Sequence, residues 1–577
     1  MGQHWGLPLF AWPSRLRPNT WDLVALPLVL ALLALVAWGS MAMSARYHFG
    51  QPLPISLDPW NLPQYALRTV LRMALALLAS LVFSLAYAAL AAKSRRAEKI
   101  MIPVLDILQS VPILGFLSIT VTGFMALFPG RLLGVECAAI FAIFTSQAWN
   151  MTFSVYQSLR TVPGELVEAA RMYHLSAWQR FWRLEVPHAM PSLVWNTMMS
   201  VSGGWFFVVA SEAITVNGQT IVLPGVGSYI ATAINQRNLA AIGWAILAML
   251  IVIVLYDQLF FRPLLAWSRK FVAEAGTDED NPRPWFLIAL QRARIFDLIQ
   301  AGLLVVSRGV DKAIAGLPQP RRRRREGRSS PVYDRLFDLV LLVLAGGAAV
   351  WIILFIRQRV SVGEIGWVFV LGLITAMRVL ILIAIASVIW VPIGVAIGLH
   401  PRLADRVQPI VQFLAAFPAN LFFPIAVVLI LRFSLNPEIW LSPLMILGTQ
   451  WYILFNVIGG TTALPLELRR AAQNLGVRRL LWWRRVVLPA IFPAYVTGAL
   501  TAAGGSWNAS IVAEVVQWGK TTLTATGIGA YIAQTTAAGD GARISLGIGV
   551  LCLYVLAFNR LLWRRLYNIA AERLRLD

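Results

Sequence analysis

The apolar residues of this chain come in blocks of about twenty, and nothing else in the sequence restricts its fold as strongly. At 1.5 Å of rise per residue, a helix of that length matches a hydrocarbon layer roughly 30 Å thick. Trp21 to Met43, Met73 to Ala92, Phe337 to Ile356 and Val379 to Leu399 are examples. Composition agrees, since 58% of the 577 residues are hydrophobic and 13% are charged, with a mean hydropathy of +0.68. An ordinary soluble domain does not have such a composition. Cys137 and Cys552 both lie in apolar segments without metal-site or disulfide spacing, and read as small core hydrophobes. Arg15 and Arg17 precede the first block in the charge order of a signal peptide. That block is too long for one and no small-residue cleavage pattern follows, so it is expected to stay as a membrane helix.

The pattern predicts an all-α integral membrane protein with about twelve spans in two sets of six. The first set is 21–43, 68–92, 101–127, 133–153, 192–212 and 239–261; the second is 334–356, 376–399, 407–431, 437–458, 492–514 and 543–563. With both termini in the cytoplasm, Lys93, Arg95, Arg96, Lys99, Arg160, Arg171, Arg180, Arg183 and Arg321 to Arg325 fall on the cytoplasmic side. So do Arg402, Arg406, the arginines from Arg469 to Arg485, Arg564 and Arg565. Opposite loops hold scattered charges such as Arg131, Arg357 and Lys520, as the positive-inside bias requires. The net charge of +22 is thereby explained by membrane topology, with no nucleic acid as partner. Residues 1–262 and 332–577 form the expected halves, joined by a polar cytoplasmic linker, 263–331, with an acidic run Asp278 to Asp280 and a basic run at its end. Within the linker, Ile295 to Ser307 is too short for a span and is expected to lie on the membrane surface as an amphipathic helix.

An internal repeat gives the most information. An offset of 302 pairs Pro163 with Pro465, Glu165 with Glu467, Ala169 and Ala170 with Ala471 and Ala472, and Pro187 with Pro489. The same offset continues to Trp205 and Trp507, Glu212 and Glu514, and Gly225, Gly227 and Tyr229 with Gly527, Gly529 and Tyr531. Upstream the offset becomes 306, pairing Arg72 with Arg378 and Pro112 with Pro418. An even number of spans separates the copies, so both halves share one orientation and can enclose a pathway at their interface.

The best-repeated loops, 158–190 and 460–492, are cytoplasmic. Glu165 to Tyr173 has good helix formers, an acidic start and a basic end, which suits the helix dipole. A turn follows, then an amphipathic stretch in which Trp178, Phe181 and Trp182 can meet the interface. One such loop could simply brace the bundle. Two at matching places point to two similar soluble partners.

These loops resemble the Glu-Ala-Ala signature of the membrane subunits of ATP-binding cassette importers. Glu168, Ala169, Ala170 and Pro187 match in the first half, and Ala471, Ala472, Gly476 and Pro489 in the second. Each copy departs once, with His174 in place of the glycine and Arg470 in place of the glutamate. Glycine accepts a left-handed turn that histidine adopts only at a cost, and arginine reverses a charge, so the two loops are not expected to be equivalent. The resemblance implies two cytoplasmic ATP-binding subunits docked on Glu165, Glu168, Ala169, Ala170, Tyr173, His174, Leu175 and Pro187, and on Glu467, Arg470, Ala471, Ala472, Leu475, Gly476 and Pro489. It further implies ATP and magnesium on those partners and no cofactor on this chain, a periplasmic or lipid-anchored solute-binding protein, and one copy of the chain per transporter in the bacterial inner membrane.

The later repeat, Glu212 with Gly225 and Gly227 and Glu514 with Gly527 and Gly529, resembles the nitrate, sulfonate, taurine and bicarbonate branch of these permeases. Glu212 lies 21 residues beyond Pro191, roughly 31 Å along a helix, so it belongs near the outer mouth. There it is expected either as a solvated helix end or as one of two carboxylates facing each other in a gate or a binding-protein contact. Trp205, Trp507, Asn150 and Asn508 join it as pathway candidates, with Gln147, Asn196, Ser202, Gln450, Asn456 and Ser506 as further polar positions that could instead bond across helices. Ferric iron and thiamine are alternative solutes, since their importers also use fused permeases; a secondary carrier with two six-helix halves would need coupling charges near the midplane. Gly519-Lys520-Thr521-Thr522 imitates the end of a phosphate loop, but Glu514 stands where its first glycine belongs. His4, His48, His174, His188 and His400 are scattered and form no catalytic constellation. The purified chain alone is therefore expected to hydrolyse no ATP. A phosphate-release assay in detergent checks this, and turnover above a protein-free blank would contradict it.

Overall fold

The computed structural model describes residues 22–46, 53–110, 113–216, 219–271, 285–292 and 331–573, with the isolated positions 302 and 309. Arg15, Arg17, the acidic run Asp278 to Asp280, the basic run Arg321 to Arg325, and Ile295 to Ser307 apart from Gly302 lie outside the described residues. In chain order the first half contains α1 (Asp22–Met43), α2 (Leu62–Lys93), α3 (Arg95–Ser110), α4 (Ile113–Leu127), α5 (Leu133–Arg160), α6 (Gly164–Met172), α7 (Ala177–Arg180) and α8 (Val186–Ser211). A hairpin of β1 (Ala213–Val216) and β2 (Gln219–Val222) leads to α9 (Val226–Asn235), α10 (Leu239–Tyr256) and α11 (Arg262–Ser268), with α12 (Trp285–Arg292) in the linker. The second half contains α13 (Pro331–Arg357), α14 (Val362–Gly398), α15 (Pro401–Ala416), α16 (Phe423–Arg432), α17 (Pro437–Trp440), α18 (Gln450–Thr462), α19 (Leu466–Asn474), α20 (Arg479–Trp482) and α21 (Leu488–Ala513). A second hairpin, β3 (Val515–Trp518) and β4 (Thr521–Thr524), precedes α22 (Ile528–Ala538), α23 (Gly541–Phe558) and α24 (Arg564–Arg573).

Among the described residues, seven helices are long and apolar enough to cross a membrane, or nine if each of two bent pairs crosses once. Helices stand at all twelve expected places, yet several differ from simple spans. The expected span 101–127 is two helices, α3 and α4. The span 407–431 bends by 74° between α15 and α16. Phe417 there is extended, with φ −72° and ψ 129°, because the ring of Pro418 clashes with a helical residue before it. The span 437–458 bends by 43° before α18, and α14 starts at Val362, fourteen residues before the expected span 376–399. The two hairpins are a further difference from an all-helical chain. Each pairs four residues with four in antiparallel register, Ala213 with Val222 and Val515 with Thr524 at the open ends. Valine, isoleucine and threonine dominate these segments and favour extended backbone.

A turn of π-helix precedes Pro187, at Phe181–Glu185, and its copy at Trp483–Val487 precedes Pro489. Proline cannot donate to the residue four before it, so a widened turn lets the helix pass without a stranded carbonyl.

The described chain forms two compact units that cut across the repeat. One holds α1 up to Ala42, Thr161–Val194 and the segment from Leu255; the other holds Met43–Arg160, Trp195–Val254 and the chain from α13 onward. In the larger unit the halves interlock. The rings of Trp195 and Phe455 stack at 6.0 Å, and Phe455 belongs to a core with Ala404, Val411, Leu454 and Ile458. Close crossing of α18 and α21 depends on glycine, because a Cβ on Gly498 would stand 2.7 Å from the Tyr452 carbonyl oxygen and 3.1 Å from the Ile453 Cα. Cys137 and Cys552 are free and half-buried. Gly498→Val is expected to lower stability by about 3 kcal/mol through overpacking, whereas Gly459→Val, which meets nothing within 4 Å, is expected to be nearly neutral. Thermal unfolding in detergent separates the two.

Candidate functional site

Each of the repeated loops 158–190 and 460–492 holds a nine-residue helix, α6 or α19, whose capping residue is a proline, Pro163 or Pro465. The helix ends on a left-handed residue. His174 has φ 52° and Gly476 has φ 66°. The bonds that close the turn match: the His174 N–H donates to the Arg171 carbonyl and Leu175 to Ala170, as Gly476 does to Gln473 and Val477 to Ala472. Both are Schellman ends, so histidine holds in the first loop a conformation that glycine supplies freely in the second. One alanine per helix, Ala170 or Ala472, is buried; Glu165, Glu168, Glu467, Arg470 and Ala471 are exposed, Ala169 and Leu175 half-buried. The exposed side carries large apolar groups. Tyr173 is 82% and Leu475 80% exposed, with Leu166, Met172, Leu466 and Leu480 also open. Pro187 and Pro489 are half-buried at the start of α8 and α21. The loops then diverge. Ser176 caps α7 in a capping box with Gln179, whereas Arg478 offers α20 no side-chain cap and Arg479 has φ 50°.

At the other end of α8 and α21 lies a duplicated buried cluster. Arg72 donates from Nε and Nη2 to Glu136 at 2.6 and 2.8 Å, from Nη1 to Glu212 at 2.7 Å, and from Nη2 to the Pro224 carbonyl at 3.0 Å. Glu212 also accepts from the Thr69 hydroxyl and from the Gly227 N–H, both at 2.7 Å. All three charged side chains are wholly buried. The second half repeats the arrangement: Arg378 donates to Glu438 at 2.6 Å, Glu514 at 3.3 Å and the Thr526 carbonyl at 2.7 Å. Glu514 accepts from Thr375 at 2.8 Å and the Ala530 N–H at 3.0 Å. The glycines fit this cluster sterically. A Cβ on Gly225 or Gly527 would overlap the neighbouring carboxylate, and one on Gly227 or Gly529 the backbone carbonyl of Val209 or Ser510. The copies differ in cover, for the side chains of Arg378 and Glu438 are 14% and 43% exposed.

Glu212 and Glu514 are thus neither solvated helix ends nor a pair facing each other. Each is buried, with its bonds inside its own half, because a basic residue one helix away neutralises it. Glu136, Glu438, Thr69 and Thr375 complete the clusters; their 302 and 306 offsets are the signal in the sequence that could have found them. Trp205 and Trp507 are buried as well. Asn150 accepts from Gln109 on an exposed surface, and the Asn508 side-chain Oδ1 accepts from the Ile113 N–H at the start of α4, at 3.0 Å. Asn196, Gln450 and Ser506 bond across helices, to Ser154, Trp390 and Thr449, and Asn456 to a carbonyl one turn back. Gln147 is buried with its amide on the Met73 sulfur. Of these polar candidates Ser202 lines the cavity between the halves, which encloses about 80 Å³ beside Phe206, Phe207, Phe417, Thr449 and Tyr452. Beyond the span of α23, burial opposes charge on Asp540, but the Arg543 amide and guanidinium hold its carboxyl below the usual range.

Removing one charge from the covered cluster leaves an imbalance that water cannot relieve. Glu212→Gln is expected to cost about 3 kcal/mol, and Glu514→Gln clearly less because solvent reaches Arg378 and Glu438. Paired thermal melts of the variants check this, and equal losses would contradict the difference in cover.

A family model described as the binding-protein-dependent transport system inner membrane component matches residues 80–261 and again residues 389–568, together more than half of the chain. The bicarbonate transport system permease protein CmpB of Synechococcus elongatus is 32% identical over 136 residues, 24% of this chain and 48% of that protein. The nitrate import permease protein NrtB of Leptolyngbya laminosa is 28% identical over 184 residues, 32% and 62% of the respective chains. The taurine transport system permease protein TauC of Escherichia coli is 26% identical over 141 residues, 24% and 49%. The chain thus spans between 48% and 62% of the length of these curated relatives. With one match in each half of its internal repeat, the chain belongs to the binding-protein-dependent transport system inner membrane components, as a fused two-domain permease of the ATP-binding cassette importer class.

Proposed function

We propose that this chain forms the whole translocation pathway of an importer for a small anion such as bicarbonate, nitrate or a sulfonate. Two separate ATP-hydrolysing subunits dock on the α6 and α19 loops, and a solute-binding protein delivers from the opposite side. Both termini and the docking loops face the cytoplasm, in keeping with the arginine distribution. The observation that carries the reading is the pair of short helices that expose Met172 and Tyr173 in one loop and Leu466 and Leu475 in the other. Large apolar groups at a projecting helix end are suited to a partner's groove. The solute class is supported by the relatives' own bicarbonate, nitrate and taurine assignments. A secondary carrier fits less well, because Glu212 and Glu514 are bonded within their own clusters and do not line the cavity.

The loops should contribute unequally. Glu168 and Arg470 are each the fifth residue of their nine-residue helices, beyond the first turn on which the helix dipole acts, so the two loops differ in the sign of the exposed charge they offer a partner. With one ATPase serving both sides, Glu168→Arg is expected to reduce its copurification with the chain and Arg470→Glu to preserve or improve it. Quantitative pull-down with an ATPase subunit that supports transport by this chain checks the proposal, and equal loss from both variants would count against it.

A further inference from the structure

The second hairpin reaches across to the first half. The N–H of Gly519, at its tip, donates to the Ile234 carbonyl at 3.0 Å, and β3 lies against α9. Ile234 belongs to the last turn of α9, and Arg237 follows it in a left-handed conformation with φ 54°. At the corresponding place after α22 the chain has Gly539, with φ 72°. Both helices end in the same way, the Arg237 N–H bonding Ile234 and Asn238 bonding Ala233, as Gly539 bonds Thr536 and Asp540 bonds Thr535. Arginine therefore occupies a position where the fold elsewhere uses glycine, and strain kept at one place asks for a compensating contact. The contact is with the hairpin: the guanidinium lies across Gly519, where any Cβ would overlap Nε and come within 3.0 Å of Cγ, and Nη2 donates to the Thr521 hydroxyl at 3.4 Å. Gly519, with φ 61°, serves both the tight turn and the space the arginine needs.

We infer that the Gly519–Lys520 tip and the end of α9 form a latch across the two halves, held by Arg237, that closes the outer mouth of the pathway. This rests on the pathway and orientation proposed above. The hairpin follows α21, a helix of 26 residues that begins at the second docking loop, so the latch stands at the far end of the element that the ATPase would move. Because Arg237 has a glycine counterpart, Arg237→Gly removes the contact while keeping the helix end in a conformation the fold already uses.

The test uses the full chain in the bacterial inner membrane with Cys137→Ala and Cys552→Ala, and Ser202→Cys as a reporter in the cavity. A charged, membrane-impermeant methanethiosulfonate is added from the outer side, and modification is read on the peptide bearing position 202 by mass spectrometry. Arg237→Gly is expected to raise the modification rate about threefold, the effect of one long, solvent-exposed hydrogen bond on a two-state equilibrium. In the pair Gly519→Cys with Arg237→Cys, the new Cβ at 519 would stand near 3.0 Å from the position of the second sulfur, a separation a disulfide accepts. Oxidation is expected to cross-link the pair and silence the reporter, and prior reduction to restore it. An unchanged rate in Arg237→Gly, failure of the pair to cross-link, or equal labelling of cross-linked and reduced chain would each overturn the latch alone. A reporter that reacts from neither face of the membrane in any variant would overturn the pathway reading, and the latch with it.

Discussion

A guanidinium held between two carboxylates where no water reaches is the constraint around which the first half is organised. Arg72 on α2 binds Glu136 at the start of α5 and Glu212 at the end of α8, so three helices, a hairpin and the first turn of α9 meet at one charge. Neither the cation nor either anion could be buried alone, since desolvating an unpaired ion costs several kcal/mol. Together they define the positions of elements that the chain brings from well-separated places. Thr69 and Gly227 satisfy the remaining acceptor sites, and Gly225 leaves room for the carboxylate. The result is a rigid end to α8, and through the same device in the second half, to α21.

The second copy is looser. Its Glu438 sits on the four-residue helix α17 rather than on a long helix, and solvent reaches both it and Arg378. The same chemistry therefore anchors one half from within and the other at its margin. The repeated loops 158–190 and 460–492 show a comparable imbalance, since His174 closes one turn under strain and Ser176 caps the next helix, while Gly476 closes the other freely and Arg478 gives no side-chain cap.

Much of this is legible in the sequence because duplication writes the same interaction twice. The offsets that pair Glu212 with Glu514 and Arg72 with Arg378 mark residues that belong to one cluster, and the left-handed turn at His174 follows from the glycine that matches it. What cannot be read is direction. Counting 21 residues along a helix places Glu212 at an end, but whether the side chain turns to water or inward depends on Arg72, which comes from another part of the chain. The hairpins escape for a related reason: the expected spans stop at 212 and 514, and strands of four residues that mix glutamine and threonine with apolar side chains carry too short a pattern to announce themselves. Breaks such as that at Phe417–Pro418 show in the sequence only as a proline, a residue that helices such as α8 and α21 also contain without comparable bending.

The left-handed arginine after α9 illustrates what tandem fusion permits. In a dimer of identical subunits any replacement is made on both sides of the axis, so a strained residue would be installed twice and would have to suit two equivalent neighbours. Here Arg237 is present once and its counterpart remains Gly539. Selection can therefore act on each side of the molecule separately, refining one while the other retains its inherited form. A single gene can in this way accumulate handed differences, and a single-residue variant reports on one side of the pseudo-symmetric pair without averaging over both.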